Sequence, residues 1–176
     1  MKKLVVLIVL LALLFAAWFV FLMNPPGYDE FKAVENRYMQ PDELAPATLE
    51  KINLYKQEML LLKRKYSQSQ EAALLADIKI DLAEMEENII LAGNEFSRAD
   101  RRNPDCSEGS RISKSTKLLE GARKKVADVN KNTLKLEQGY KAFAETSGIS
   151  KTEFRESLAG ISKSIEGIDN IINSYC

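Results

Sequence analysis

Residues 117–143 read KLLEGARKKVADVNKNTLKLEQGYKAF, and within them Leu119, Ala122, Val126, Val129, Thr133, Leu136, Tyr140 and Phe143 recur at alternating spacings of three and four. An α-helix turns once in about 3.6 residues, so this spacing gathers the apolar side chains on one stripe and turns Arg123, Lys124 and Lys131 away from it. A strand would need alternation at every second residue, and no such pattern occurs here or elsewhere in the chain. The stretch predicts an amphipathic helix whose stripe must be buried against other helices.

The same rhythm continues on both sides. Ile52, Tyr55, Met59, Leu62 and Tyr66 predict a helix over 46–66, and Leu75, Ile78, Leu82, Met85, Ile89 and Phe96 predict one over 69–100. The 117–143 pattern extends to a helix over 110–146, and Phe154, Leu158, Ile161, Ile165, Ile168, Ile172 and Tyr175 predict a last one over 151–175. Pro46 suits a first helical position, where its missing N–H costs nothing. Ser67 with Gln70 can form a capping box, and so can Ser150 with Glu153. Ile149 and Phe154 flank the second box at the spacing of a hydrophobic staple, which sets the start of the last helix near residue 151. Gly148 is placed for the left-handed residue that follows a helix. Between the second and third helices, residues 101–109 (RRNPDCSEG) form the one substantial loop.

Four amphipathic helices with short connections bury their stripes best as an antiparallel, up-down-up-down four-helix bundle. The expected fold class is therefore all-α, coiled-coil-like over 46–176, and the heptads also leave pairing between chains open. A helix over 110–146 would be more than about 50 Å long. Part of the hairpin of the second and third helices is expected to overhang its shorter neighbours.

Residues 4–23, LVVLIVLLALLFAAWFVFLM, are uninterruptedly apolar. About 20 such residues cross the hydrocarbon core of a bilayer as a helix. Segment 1–23 is expected to be a signal-anchor, an N-terminal single transmembrane helix with a cytoplasmic N-terminus, because Lys2 and Lys3 directly precede the run. Trp18, Phe19 and Phe21 crowd its far end, where aromatic rings favour the interface. Secretion after signal cleavage is the alternative. The run is longer than the roughly 7–15 residues of a signal peptide core, and no small-x-small cleavage site follows it. With so little before it, the segment is expected to be a tether and not a signalling span. Asn24-Pro25-Pro26-Gly27 cannot continue a helix. Segment 24–45 is then expected to hold a short amphipathic helix, marked by Tyr28, Phe31, Val34 and Tyr38, and a proline-containing hinge over 40–46.

Lys plus Arg and Asp plus Glu both number 25, and there is no His. Without Lys2 and Lys3 the remainder is slightly acidic, which is no footprint for nucleic acid. The lack of His removes the commonest metal ligand and the commonest neutral-pH base, so zinc hydrolase, Ser-His-Asp, Cys-His and Glu-x-x-His di-iron chemistries fall together. No catalytic residue, metal site or cofactor is predicted. Asp77, Asp81, Glu84, Glu86 and Glu87 on the 69–100 helix read as a solvated face and not as a metal cluster.

Three sets of residues stand out. Cys106 and Cys176 are too few for a disulfide scaffold, but an up-down topology brings the loop and the C-terminus to one end, so they can bridge; free thiols or a bridge between chains are the alternatives. On the last helix Ser157, Gly160, Ser164, Gly167 and Ser174 form a small-residue stripe, readable as a surface where a helix docks or as close packing on the 110–146 helix, with Gly121 and Gly139 as counterparts. Arg98, Arg101, Arg102, Arg111 and Lys114 form a basic cluster that would face the headgroups if the 46–66 helix leads away from the membrane, although Asp100, Asp105 and Glu108 offset much of it. The expectation is a membrane-anchored, non-enzymatic structural or protein-interaction module outside the cytoplasmic membrane. Its partners would be the bilayer, through 4–23, and a protein or second copy, through the heptad stripes. An extracytoplasmic ligand-binding or sensor domain working through a partner is the alternative.

Overall fold

A computed structural model of the chain describes residues 27–40 and 43–176. The expected transmembrane segment 4–23 and the Asn24-Pro25-Pro26 break lie outside the described residues. Among the described residues no helix is long and apolar enough to cross a membrane. Their regular structure is entirely helical: α1 (Tyr28–Tyr38), α2 (Leu49–Lys65), α3 (Gln70–Ser97), α4 (Arg111–Gly139), α5 (Lys141–Thr146) and α6 (Thr152–Asn173).

Ion pairs between neighbouring helices give their directions. Lys56 meets Glu87 and Lys63 meets Asp77, each at 2.5 Å, so α2 and α3 are antiparallel. Arg111 pairs with Glu95 while Lys125 pairs with Asp81, so α4 runs back along α3. Arg155 with Glu137 and Arg123 with Asp169 do the same for α6 on α4. This is the expected up-down order, but the closure differs from a simple four-helix bundle. The packed neighbours are α1 on α2, α2 on α3, α3 on α4, and α5 and α6 on α4. Glu43, Leu44, Ala45 and Ala47, ahead of α2, border one depression together with Met85 and Glu86 of α3 and Ser157 and Ile161 of α6.

At the centre is α3, where residues 71–92 include no exposed position. Beside its stripe of Leu75, Ile78, Leu82 and Met85, it buries Ala72, Ala76, Ala83 and Ala92, small residues that let neighbours approach on several sides. The stripes of its two neighbours point at it, Ile52, Tyr55 and Met59 from α2 and Leu119, Ala122, Val129 and Leu136 from α4, while α6 lays Leu158, Ile165 and Ile172 on α4. The heptad stripes thus pack into the core of this one chain.

Segment 24–45, expected as a short amphipathic helix and a hinge ahead of the bundle, contributes α1 to the core. Phe31 is 1% exposed and Val34 is buried. Glu35 pairs with the buried Lys79 of α3 at 2.8 Å, and Ala45 and Pro46 are buried where a hinge was expected. The amphipathic spacing of 28–38 supplied one buried face, and α2 with α3 supplies the surface to cover it.

Four local expectations are corrected by backbone geometry. The helix expected over 110–146 breaks at Tyr140, whose backbone leaves the helical region (φ −142°, ψ 54°), so α5 starts anew. Tyr140 donates its hydroxyl to Gln70 across the end of the bundle at 2.7 Å, and Gly139 before it weakens the helix there. The cap of α3 is Ser69, accepting from the Ala72 N–H, and not Ser67. The cap of α6 is Lys151, with no side-chain bond from Ser150, although Ile149 and Phe154 are both buried as a staple requires. Pro46 precedes α2, which is capped by Thr48 accepting from the Lys51 N–H.

Candidate interaction surfaces

Cys106 and Cys176, 70 positions apart, are joined by a disulfide with their Cα atoms 5.9 Å apart. The helical contacts explain how they meet. The α4–α6 ion pairs stop at Asp169 opposite Arg123, so the first turns of α4 overhang α6 and rest on α3, where the buried Ser115 hydroxyl donates to the Ala92 carbonyl at 2.7 Å. The chain after α6 covers this overhang: Tyr175 packs edge-on against Phe96 at 5.5 Å, and the loop folds back to meet Cys176.

The basic cluster sits on this disulfide-held tip. Arg98, Arg101, Arg102, Arg111 and Lys114 are all exposed. Arg111 pairs with Glu95 at 3.3 Å, and Arg101 lies over the Phe96 ring at 5.0 Å. The acids around them are engaged locally. Asp100 accepts the N–H groups of Arg102 and Asn103 at 2.9 and 3.3 Å, and Glu108 meets Lys117 at 3.3 Å. Asp105 accepts the Ser107 N–H at 2.9 Å, and its bonds from Ser107 hold its carboxyl below the ordinary range. Arg98, Ala99, Asn103, Arg111 and Ile112, with Asp100 and Asp105, line a depression of about 300 Å³.

The condition set for a headgroup-facing cluster is a 46–66 helix that leads the chain into the bundle, and the contacts give that place to α1. Gly27, with φ +94°, caps α1 at the opposite end, against the Tyr66 ring. Tyr28 there donates to the Thr146 carbonyl at 2.8 Å, and Glu30 meets Lys65 and Tyr66. So it is α1 that leads from the Gly27 end; α2 returns to it, and α3 then carries the chain away. The 28 residues of α3 at about 1.5 Å each put Arg98 about 42 Å from that end.

The stripe of Ser157, Gly160, Ser164, Gly167 and Ser174 is exposed along its whole length. A Cβ added at Gly139, Gly160 or Gly167 would meet nothing within 4 Å, and one at Gly121 would meet only the Asn88 side chain at 3.0 Å. Close packing of this stripe on α4 is therefore ruled out, because α6 turns the face of Leu158, Ile165 and Ile172 to α4 instead. Leu54, Leu60 and Leu61 on the outer face of α2 are exposed as well, Leu61 by 62%.

The carboxylates of α3 do not form a solvated face. Asp77, Asp81, Glu84, Glu86 and Glu87 are all half-buried, and all but Glu86 pair with lysines of α2 or α4. Lys125 bridges Asp81 and Glu84; burial pulls its ammonium down, but those two carboxylates raise it above its ordinary value. Burial pushes Asp81 up against the hydrogen bond from Lys125, and burial together with Glu43 raises Glu86. These pairs set the register of α2 and α4 on α3. Spacing marks the carboxylates as off the apolar stripe but carries no signal for basic partners on other helices. Periodicity likewise missed a depression of about 430 Å³ between segment 43–47 and the start of α6, lined by Glu43, Lys79, Ile149, Lys151 and Phe154. Among the described residues no three His, Cys, Asp or Glu side chains are grouped to hold a metal. Compared with family models, curated proteins and solved structures, the chain matches none.

Proposed function

We propose that the chain is a single-pass membrane-anchored, non-enzymatic helical module that engages a partner protein on the outer side of the cytoplasmic membrane. The observation that carries this reading is the apolar run 4–23 with Lys2 and Lys3 before it. Support for the outer side comes from the Cys106–Cys176 disulfide, since such bridges form and persist in oxidising compartments. Support for an interaction role comes from what the core leaves over. The heptad stripes are consumed inside the chain, while an arginine-rich tip, a small-residue stripe and a leucine-bearing face stay exposed.

A second reading, a sensor domain acting through a partner, is favoured by the depression around Lys79 and Phe154. Its size falls within the range of small-molecule sites, and it combines apolar walls with a few polar groups. Crosslinking in native membranes followed by purification of the full chain separates the two. A reproducible protein adduct supports the interaction module. A purified chain with no adduct but a co-purifying small molecule, displaced by Phe154→Trp, would replace it with the sensor.

A further inference from the structure

We propose that the disulfide-held tip, residues 98–114, is the docking surface, and that its occupant is an acidic segment of a partner protein. This rests on the interaction-module reading and names its site. Opposite charges in the tip do not simply cancel. Asp100 and Asp105 spend oxygens on backbone N–H groups of the loop itself, and Glu95 and Glu108 meet Arg111 and Lys117. Among the described residues Arg98, Arg101, Arg102 and Lys114 take part in no ion pair, and all four are exposed. Over 98–114 five arginine and lysine side chains stand against three carboxylates, so the tip keeps a net positive charge.

The loop that carries these cations is fixed in place before any partner arrives. Cys106 ties it to Cys176, and Phe96 is covered on one side by Tyr175 and approached on another by the Arg101 guanidinium. Ordering costs on binding are lowered when the site is already pinned. The depression is lined by Arg98, Ala99, Asn103, Arg111 and Ile112 together with the carboxylates Asp100 and Asp105, and of its two guanidinium groups Arg98 is the one with no ion pair among the described residues. A carboxylate matches the planar donor fork of arginine, and an apolar neighbour in the same segment matches Ala99 and Ile112.

The alternatives to a protein fit less well. A bilayer next to Gly27 would be about 42 Å away along the 28 residues of α3. A nucleic acid presents a continuous line of phosphates, and Asp100, Asp105 and Glu108 interrupt the arginines that would have to follow it. Spaced carboxylates on a folded partner can meet Arg98, Arg101 and Arg102 while avoiding the acids between them.

The test uses the full chain in phosphatidylcholine nanodiscs at about 0.15 M salt. The probe is a fluorescent peptide of alternating glutamate and leucine, compared with its lysine counterpart and with nanodiscs carrying phosphatidylserine. The acidic peptide should bind, and Arg98→Glu/Arg101→Glu/Arg102→Glu should weaken it at least about tenfold without moving the thermal midpoint. Should that variant unfold, Arg102→Gln, which removes no ion pair, should still weaken binding. Equal binding by the variants, no binding of the acidic peptide, or adhesion to phosphatidylserine alone would overturn the proposal. A photo-crosslinker at Arg102 and, separately, at Leu61 and at Gly160 in native membranes separates this failure from that of the module itself. Adducts at Leu61 or Gly160 only would sink the tip and keep the module, and adducts at none of the three would sink both.

Discussion

Breaking the Cys106–Cys176 bridge should remove a large, calculable part of the stability. Closing a loop of 70 residues restricts the unfolded chain by about 15 cal/mol/K, which is about 4.4 kcal/mol at 25 °C in the chain-entropy description. A chain of 176 residues shifts its midpoint by about 2–4 °C per kcal/mol, so reduction should lower it by about 9–18 °C. The local loss should concentrate where the bridge holds the overhang, at Phe96, Tyr175 and the start of α4. The assay is thermal unfolding of the detergent-solubilised full chain with and without reductant, beside Cys106→Ser, Cys176→Ser and the double variant. Since the two thiols act as one unit, the double variant should lose no more than either single. Equal midpoints for oxidised and reduced protein, or a double variant that loses the sum of the singles, would refute the bridge as the clamp of this end.

Three further substitutions probe the core. Phe31→Ala should cost about 3–5 kcal/mol, because the ring is 1% exposed; a cost near zero in denaturant unfolding would return α1 to the role of a linker. Gly27→Val should cost about 1–3 kcal/mol, since φ is +94° and a Cβ there would come within 2.5 Å of the Tyr66 ring; unchanged stability would mean that the α1 start is not held against α2. Lys125→Met should cost about 1–3 kcal/mol at neutral pH by leaving Asp81 and Glu84 unpaired in the α3–α4 seam. Burial already raises the Asp81 carboxyl, and without Lys125 it rises further, so the folded form prefers the proton. The deficit of that variant should therefore shrink as pH falls through the raised folded value toward the ordinary carboxylate range, and a deficit that grows on acidification would contradict the pairing.

Much of this fold could be read from spacing alone, and the failures share one cause. Stripes such as Leu75–Ile78–Leu82–Met85 and Phe154–Leu158–Ile165–Ile172 identify long helices because a helix reports its own buried face in a period of 3.6. The break at Tyr140 falls inside an unbroken stripe, and its stabilising bond comes from Gln70, 70 positions away. Whether 28–38 is a linker or a core helix depends on α2 and α3 offering it a groove, which its own amphipathic pattern does not state. The caps were misassigned by one or two residues because Ser67, Ser69 and Ser150 all carry a suitable side chain, and backbone direction decides among them. At the tip, the meeting of Cys106 and Cys176 followed from topology, but the orientation of the arginines did not. It depended on whether α1 or α2 leads away from Gly27, which required the tertiary contacts of Tyr28 and Glu30.

The claim of a tethered, disulfide-clamped helical module is tested most directly by the intact mass of the chain in the carbonate-resistant fraction of native membranes, taken without reductant. The account predicts a membrane-retained chain that still carries residues 4–23 and gains two hydrogens on reduction. A chain released by carbonate, or one that has lost residues 4–23, would contradict the tether. A mass unchanged by reduction would contradict the clamp.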